Sequence, residues 1–175
     1  MPQPPSDALL TAARVVIVIA QVVIIVALAG ICIGAAAMVF AHGQVSSALA
    51  EEGVRASAYG AILGALALAA AILMLWERFV AYLRRIVDSV GAGDPFAPEN
   101  ADRLSRMGWM ALSAFALSLP LGALGAWIAS RVEQGTLDID FGGGGSGLVL
   151  ALVLFILARV FRHGAAMREE LEGTV

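Results

Sequence analysis

The sequence predicts an all-α polytopic membrane protein with four transmembrane helices, and three features carry that prediction. Of its 175 residues, 60% are hydrophobic and only 14% charged, against about 25% charged in a typical soluble domain. The mean hydropathy is +0.87. Uncharged apolar runs recur at about the length a bilayer demands. The chain has no lysine, so all eleven positive charges are arginine. A net charge of −3 leaves no basic surplus for direct nucleic-acid binding.

Taken in order, residues 1–13 read as a fraying start, with Pro2, Pro4 and Pro5 near the terminus. The first span covers residues 15–41, apolar but for Gln21 and the glycines Gly30 and Gly34. At 1.5 Å per residue it reaches about 40 Å, longer than a hydrocarbon core of about 30 Å, so it tilts or protrudes. It is too long for the apolar region of a signal peptide, about 7–15 residues. Ile31 also spoils a lipoprotein cleavage box before Cys32, so the helix is expected to be retained. Cys32 is the only cysteine and reads as a small hydrophobe.

A polar connection with Glu51, Glu52 and Arg55 leads to the second span, residues 58–76. Its helical pattern continues past the membrane. Trp76, Phe79, Leu83, Ile86 and Val90 recur at steps of three and four, while Glu77, Arg78, Arg84, Arg85 and Asp88 take other positions. This predicts an amphipathic cytoplasmic extension of helix 2, ending at Gly91 or Gly93. Asp94 to Pro98 is a turn, and Pro98 suits the first turn of the next helix. There Glu99–Arg103 and Asp102–Arg106 are spaced as i,i+4 ion pairs. That helix runs into the third span, residues 107–128, where Pro120 predicts a kink. After a polar stretch with Arg131, a glycine run precedes the fourth span, residues 142–161. Glycine disfavours helix by about 1 kcal/mol, so this helix is expected to become firm only near Leu148. The chain thus reads as a single four-helix transmembrane domain over 1–175, with a cytoplasmic loop at 77–106.

With four spans, nine arginines fall on the side of the termini and central loop, and two, Arg55 and Arg131, on the other. The positive-inside rule then places both termini in the cytoplasm. Gly30 and Gly34, Gly60 and Gly64, and the stripe Ala114, Ser118, Gly122 and Ala126 have the spacing of close helix contacts in lipid. They serve either the bundle itself or a homo-oligomer face. Gln21 is expected to bond across helices, to Ser113 or Ser118.

Little in the sequence suggests chemistry. The first three spans contain no ionisable group of the kind that coupled transport needs, and the fourth has only Arg159 near its inner end. His42 and His163 are expected on opposite sides of the membrane and have no cluster of metal ligands around them. No nucleophile stands beside a base. The glycine run lacks the lysine and hydroxyl of a phosphate loop. No catalytic, metal or cofactor site is therefore expected, and the protein reads as a non-enzyme. A passive pore lined by Gln21, Ser113, Ser118 and the Pro120 kink is the alternative to a regulatory or scaffolding role. What remains is the inner face, whose five loop arginines also suit anionic lipid headgroups.

Two segments of that face resemble a known family. Gly93-Asp94-Pro95-Phe96-Ala97-Pro98-Glu99-Asn100, with Arg103-Leu104 and Gly108-Trp109, is similar to the central signature of the YoaS-like bacterial membrane proteins. Leu157-Ala158-Arg159-Val160-Phe161-Arg162-His163-Gly164, with Met167-Arg168-Glu169-Glu170 and Thr174-Val175, resembles their C-terminal signature. The family is a four-helix one of unknown function. The resemblance implies a bacterial inner-membrane location and a small helix-turn-helix regulator as partner. On that reading Asp94, Pro95, Phe96, Glu99, Asn100 and Arg103 form a partner-binding platform with Phe161, Arg162 and Gly164.

Overall fold

The structure is a computed structural model that describes residues 8–44, 47, 57–130 and 145–172. It contains four long helices: α1 (Ala8–Phe40), α2 (Ser57–Gly91), α3 (Pro98–Ala129) and α4 (Ser146–Glu172). Each is long and apolar enough to cross a membrane, and the chain is a multi-pass membrane protein. Arg55, Arg131, Gly142 to Gly144 and the closing Thr174-Val175 lie outside the described residues.

The helices pack in chain order, α1 on α2, α2 on α3 and α3 on α4. Contacts near each terminus show that neighbours run antiparallel. The Tyr59 hydroxyl at the start of α2 donates to the Met38 carbonyl near the end of α1, at 2.8 Å. At the opposite end, Arg14 of α1 meets Asp88 of α2, and Arg162 of α4 meets Asp102 of α3. The core joins Phe79 and Val80 of α2 to Leu104, Met107 and Ala111 of α3 and to Ala151, Leu154 and Ala158 of α4. From α1 only Ile17 is buried. Along its other faces Val16, Ile19, Val23 and Val26 are each more than half exposed. In water, so much contiguous apolar surface would drive association; in lipid it is the solvated state.

Helix boundaries depart from the sequence expectation in three places. The predicted fraying start is already helical from Ala8, where Leu9, Leu10, Ala12 and Ala13 are good helix formers. Arg14 adds its ion pair with Asp88. Second, α4 is helical from Ser146 onward, after Gly145 turns the backbone at φ +67°. Third, neither predicted i,i+4 pair closes. Arg103 instead donates to the Asn100 side chain at 2.7 Å, and Asp102 receives Arg162 at 3.2 Å. An exposed helical pair is worth only about 0.3–0.5 kcal/mol, so Asp102 yields to a partner from α4 and Arg103 to the Asn100 side chain one turn back on its own helix.

Within one chain the glycine pairs of the small-residue stripes are not the points of closest helix approach. A Cβ built on Gly30, Gly34, Gly60 or Gly122 would meet nothing within 4 Å, and one on Gly64 would make only ordinary contact with Leu124. Close approach occurs on the α3–α4 seam instead. There a Cβ on Gly108 would lie 2.8 Å from the Phe155 ring, and one on Gly147 3.0 Å from Phe115. These glycines lend their missing side chain to a phenylalanine from the facing helix, which is how two backbones close up in lipid. The Ser118 hydroxyl donates to the Phe115 carbonyl of its own helix at 2.7 Å, in place of the bond expected from Gln21.

This difference can be measured. Gly108→Val should lower the midpoint of thermal unfolding in detergent, by the roughly 1–3 kcal/mol that overpacking costs. Gly34→Ala should leave it unchanged or raise it. Equal effects at the two positions would remove the glycine–phenylalanine seam from the account.

Candidate functional site

The elbow between α2 and α3 collects most of the polar chemistry. Helix α2 ends in a Schellman turn: Asp94 N–H donates to the Ser89 carbonyl at 3.1 Å and Gly93 N–H to the Val90 carbonyl at 3.0 Å. Gly93 sits at φ +86°, a conformation that disfavours any side chain. Pro98 opens α3, with Glu99 in its first turn near the positive end of the helix dipole. Ala97 provides no side-chain cap; its carbonyl accepts the Asn100 N–H at 2.8 Å.

Asn100 is the fully buried polar side chain of this elbow. Its amide NH₂ donates to the Ser89 hydroxyl at 2.7 Å and to the Pro95 carbonyl at 3.0 Å. Its side-chain oxygen accepts from Arg103 at 2.7 Å. One side chain thereby ties the end of α2, the turn and the first turns of α3. Ser89 completes the chain by donating to the Ile86 carbonyl at 2.8 Å.

The end of α4 closes against this elbow. Phe96 and Phe161 stack in a tilted pair, centroids 5.4 Å apart. A Cβ on Gly164 would lie 2.9 Å from the Phe96 ring. Arg168 donates to Asp94 at 2.5 Å, and Arg162 to Asp102 at 3.2 Å. All nine sequence-predicted site residues therefore lie in or beside one elbow–α4 junction. Their roles differ: Asn100 works inside the elbow, whereas Phe96 keeps 42% of its surface exposed. Phe96 borders an open groove of about 680 Å³ along α4, lined also by Ile156, Arg159, Val160, His163 and Met167.

Sequence reasoning missed Ser89, whose link to Asn100 has no periodic signature, and it missed Tyr82. The Tyr82 ring has the guanidinium carbons of Arg85 and Arg106 at 5.7 Å and 5.9 Å from its centroid. Arg106 also donates to its hydroxyl at 3.3 Å. Spacing held a signal here, since Arg78, Tyr82 and Arg85 are four and three apart on one face of α2. The hydrogen bond from Arg106, aided by the charges of Arg85 and Arg78, holds the Tyr82 phenol below its ordinary pKa.

Other features stay apart. His42 packs edge-on against Tyr59, far from His163. Among the described residues no group of three or more His, Cys, Asp or Glu side chains converges as metal ligands. The proposed pore residues do not share one lining. Ser118 borders a cavity of about 210 Å³ between α2, α3 and α4. Ser113 borders a separate groove between α1, α2 and α3, and neither lining includes Gln21 or Pro120.

Two comparisons with known proteins are negative and one is positive. A family model described as a protein of unknown function (DUF2975) matches residues 44–175. No curated protein and no solved structure matches the chain.

Two measurements check this geometry. Asn100→Ala should cost about 1–3 kcal/mol by orphaning its buried partners. Asn100→Asp should cost at least as much, because a carboxylate cannot donate to Ser89 and Pro95. A stable Asn100→Asp variant would contradict the clamp. In a Tyr59→Phe background, Tyr82 should ionise below about pH 10, and Arg106→Gln should move that titration upward. A folded-state pKa below the unfolded one adds stability in full above the unfolded value. That stability is lost as pH falls through the folded value, so this contact matters through ionisation only in alkali.

Proposed function

The chain belongs to the DUF2975 family of proteins of unknown function, and from that premise we propose that it is a non-enzymatic membrane component with a regulatory or scaffolding role. Its elbow and the adjoining face of α4 form the surface that receives a cytoplasmic protein partner. The observation that carries this reading is the construction of the elbow. A connection that merely joined two helices would not require a fully buried asparagine, a Schellman turn and two ion pairs to α4. These hold Phe96 half-exposed at the rim of an apolar groove whose other edge carries Arg159 and His163. Exposed aromatic anchors on rigid supports are what protein interfaces are built around.

On this proposal both termini and the elbow face the cytoplasm. Nine of the eleven arginines favour that orientation through the positive-inside rule. The YoaS-like resemblance of the elbow and of the α4 end suggests the kind of partner, a small helix-turn-helix regulator. The cytoplasmic end of the groove suits an amphipathic helix with an apolar stripe for Phe96 and Met167 and a carboxylate for Arg159.

Co-purification with a small helix-turn-helix regulator, the partner that the resemblance implies, tests the reading. The wild type should retain it, and Phe96→Ala/Met167→Ala should lose it about tenfold or more while the Asn100 clamp stays intact. Val16→Ala, on the outer face of α1, should behave as the wild type. Equal recovery with all three, or none with any, would reject the docking surface.

A further inference from the structure

A second surface, away from the elbow–α4 groove, has the form of a lipid site. The groove between α1, α2 and α3 measures about 670 Å³. Ile25 and Leu28 of α1, Met74 and Leu75 of α2 and Leu117 of α3 give it apolar walls. Arg78 lines the same groove. On α2 the positions 71, 74, 75, 78, 82 and 85 fall on one helical face, and on α3 so do 106, 113 and 117. The apolar walls therefore continue directly into Arg78, Tyr82, Arg85 and Arg106.

We propose that this groove and its arginine end bind one anionic phospholipid, the acyl chain lying against α1 and α3 and the phosphate held by Arg85 and Arg106 beside Tyr82. Charge complementarity selects the occupant. Arg85 and Arg106 both stand close to the same phenol ring, at 5.7 Å and 5.9 Å, which brings two guanidinium groups from two helices into the neighbourhood of one headgroup. Asp102, the carboxylate one turn from Arg106, is engaged by Arg162. The phenol feels the positive charge of Arg106, Arg85 and Arg78 together. Depth agrees as well. Tyr82 stands six residues beyond Trp76, about 9 Å along the helix, which is headgroup depth when Trp76 marks the hydrocarbon boundary. A soluble phosphate would use the arginines but not the apolar walls, and a cytoplasmic helix would not reach walls that lie within the first three spans. Glu77 also lines the groove and approaches Arg78 at 3.6 Å, so it competes for that guanidinium. This inference rests on membrane insertion and not on partner docking, because none of its residues borders the Phe96 groove.

Native mass spectrometry of the full-length protein tests it, with phosphatidylglycerol, phosphatidylcholine and inorganic phosphate added in separate arms. The wild type should retain one phosphatidylglycerol in preference to phosphatidylcholine. Arg85→Gln/Arg106→Gln should reduce that preference about tenfold, and Leu28→Trp should reduce retention of both lipids by filling the groove. Glu77→Gln should strengthen phosphatidylglycerol binding, a gain that damage to the fold would not produce and that keeps the test decisive if the arginine variant fails to fold. Equal retention of the two lipids by the wild type would overturn the proposal. So would a Glu77→Gln variant with unaltered lipid preference, or displacement of phosphatidylglycerol by equimolar inorganic phosphate. None of these outcomes bears on recovery of a protein partner at Phe96.

Discussion

Three hydrogen bonds to one asparagine side chain hold the arginine end of this molecule together. Asn100 is wholly buried, so each of its polar atoms had to be removed from water and given a partner. Ser89, Pro95 and Arg103 supply those partners from three successive pieces of chain. The angle between α2 and α3 follows from that geometry. So does the placement of Phe96, because the Pro95 carbonyl that Asn100 grips belongs to the preceding residue. Once Phe96 is fixed, the end of α4 has only one close fit, with Gly164 against the ring and Phe161 beside it. The ion pairs of Asp94 and Asp102 with α4 lie on the exposed rim of this arrangement and contribute little energy alone. Their effect is to fix register on a seam whose tightness comes from glycine and phenylalanine.

The membrane imposes the other constraint. All nine arginines among the described residues stand in or near the end formed by the start of α1, the elbow and the end of α4. Several are matched by carboxylates, so the end is polar without being strongly basic. On the α2–α3 face the charges of Arg106, Arg85 and Arg78 act together on Tyr82. Two faces of one structure thus differ in chemistry: an aromatic rim on the α4 side, and the guanidinium groups around Tyr82 on the α2–α3 side.

Much of this was legible in the sequence, and the limits have physical reasons. The four helices could be read because hydrocarbon demands long uncharged runs. The glycine stop of α2 and the proline start of α3 could be read because backbone sterics act locally. The sequence singled out nine residues of the elbow and the end of α4, which the structure brings near one another, but it did not show the division between Asn100 inside and Phe96 outside. Burial is decided in space: Ser89 and the turn close over Asn100, whereas Phe96 is covered only in part, by Phe161 and Gly164 of α4. The ion pairs were misassigned because Asp102 finds Arg162 of α4 and Arg103 turns to the Asn100 side chain of its own helix. The glycine stripes left open whether they serve the bundle or a second copy, because spacing marks where helices are able to meet and not which helix arrives. Which glycine faces a phenylalanine depends on rotation about the helix axis, and a sequence so rich in small residues leaves that open.

The shallow seat of α1 has a consequence for how the protein is organised. One buried residue, Ile17, and the exposed Arg14–Asp88 pair, with Arg14 close above Gly91, account for much of its hold at the arginine end. The Tyr59–Met38 bond fastens its other end. The matched family segment begins at residue 44, beyond α1. The family match thus covers α2 to α4, and α1 packs along α2 beside them, with Ile17 in the core and Ile24 against it. In lipid the uncovered faces of α1 are solvated by acyl chains, so this helix keeps its place without the burial that a core helix in water would need.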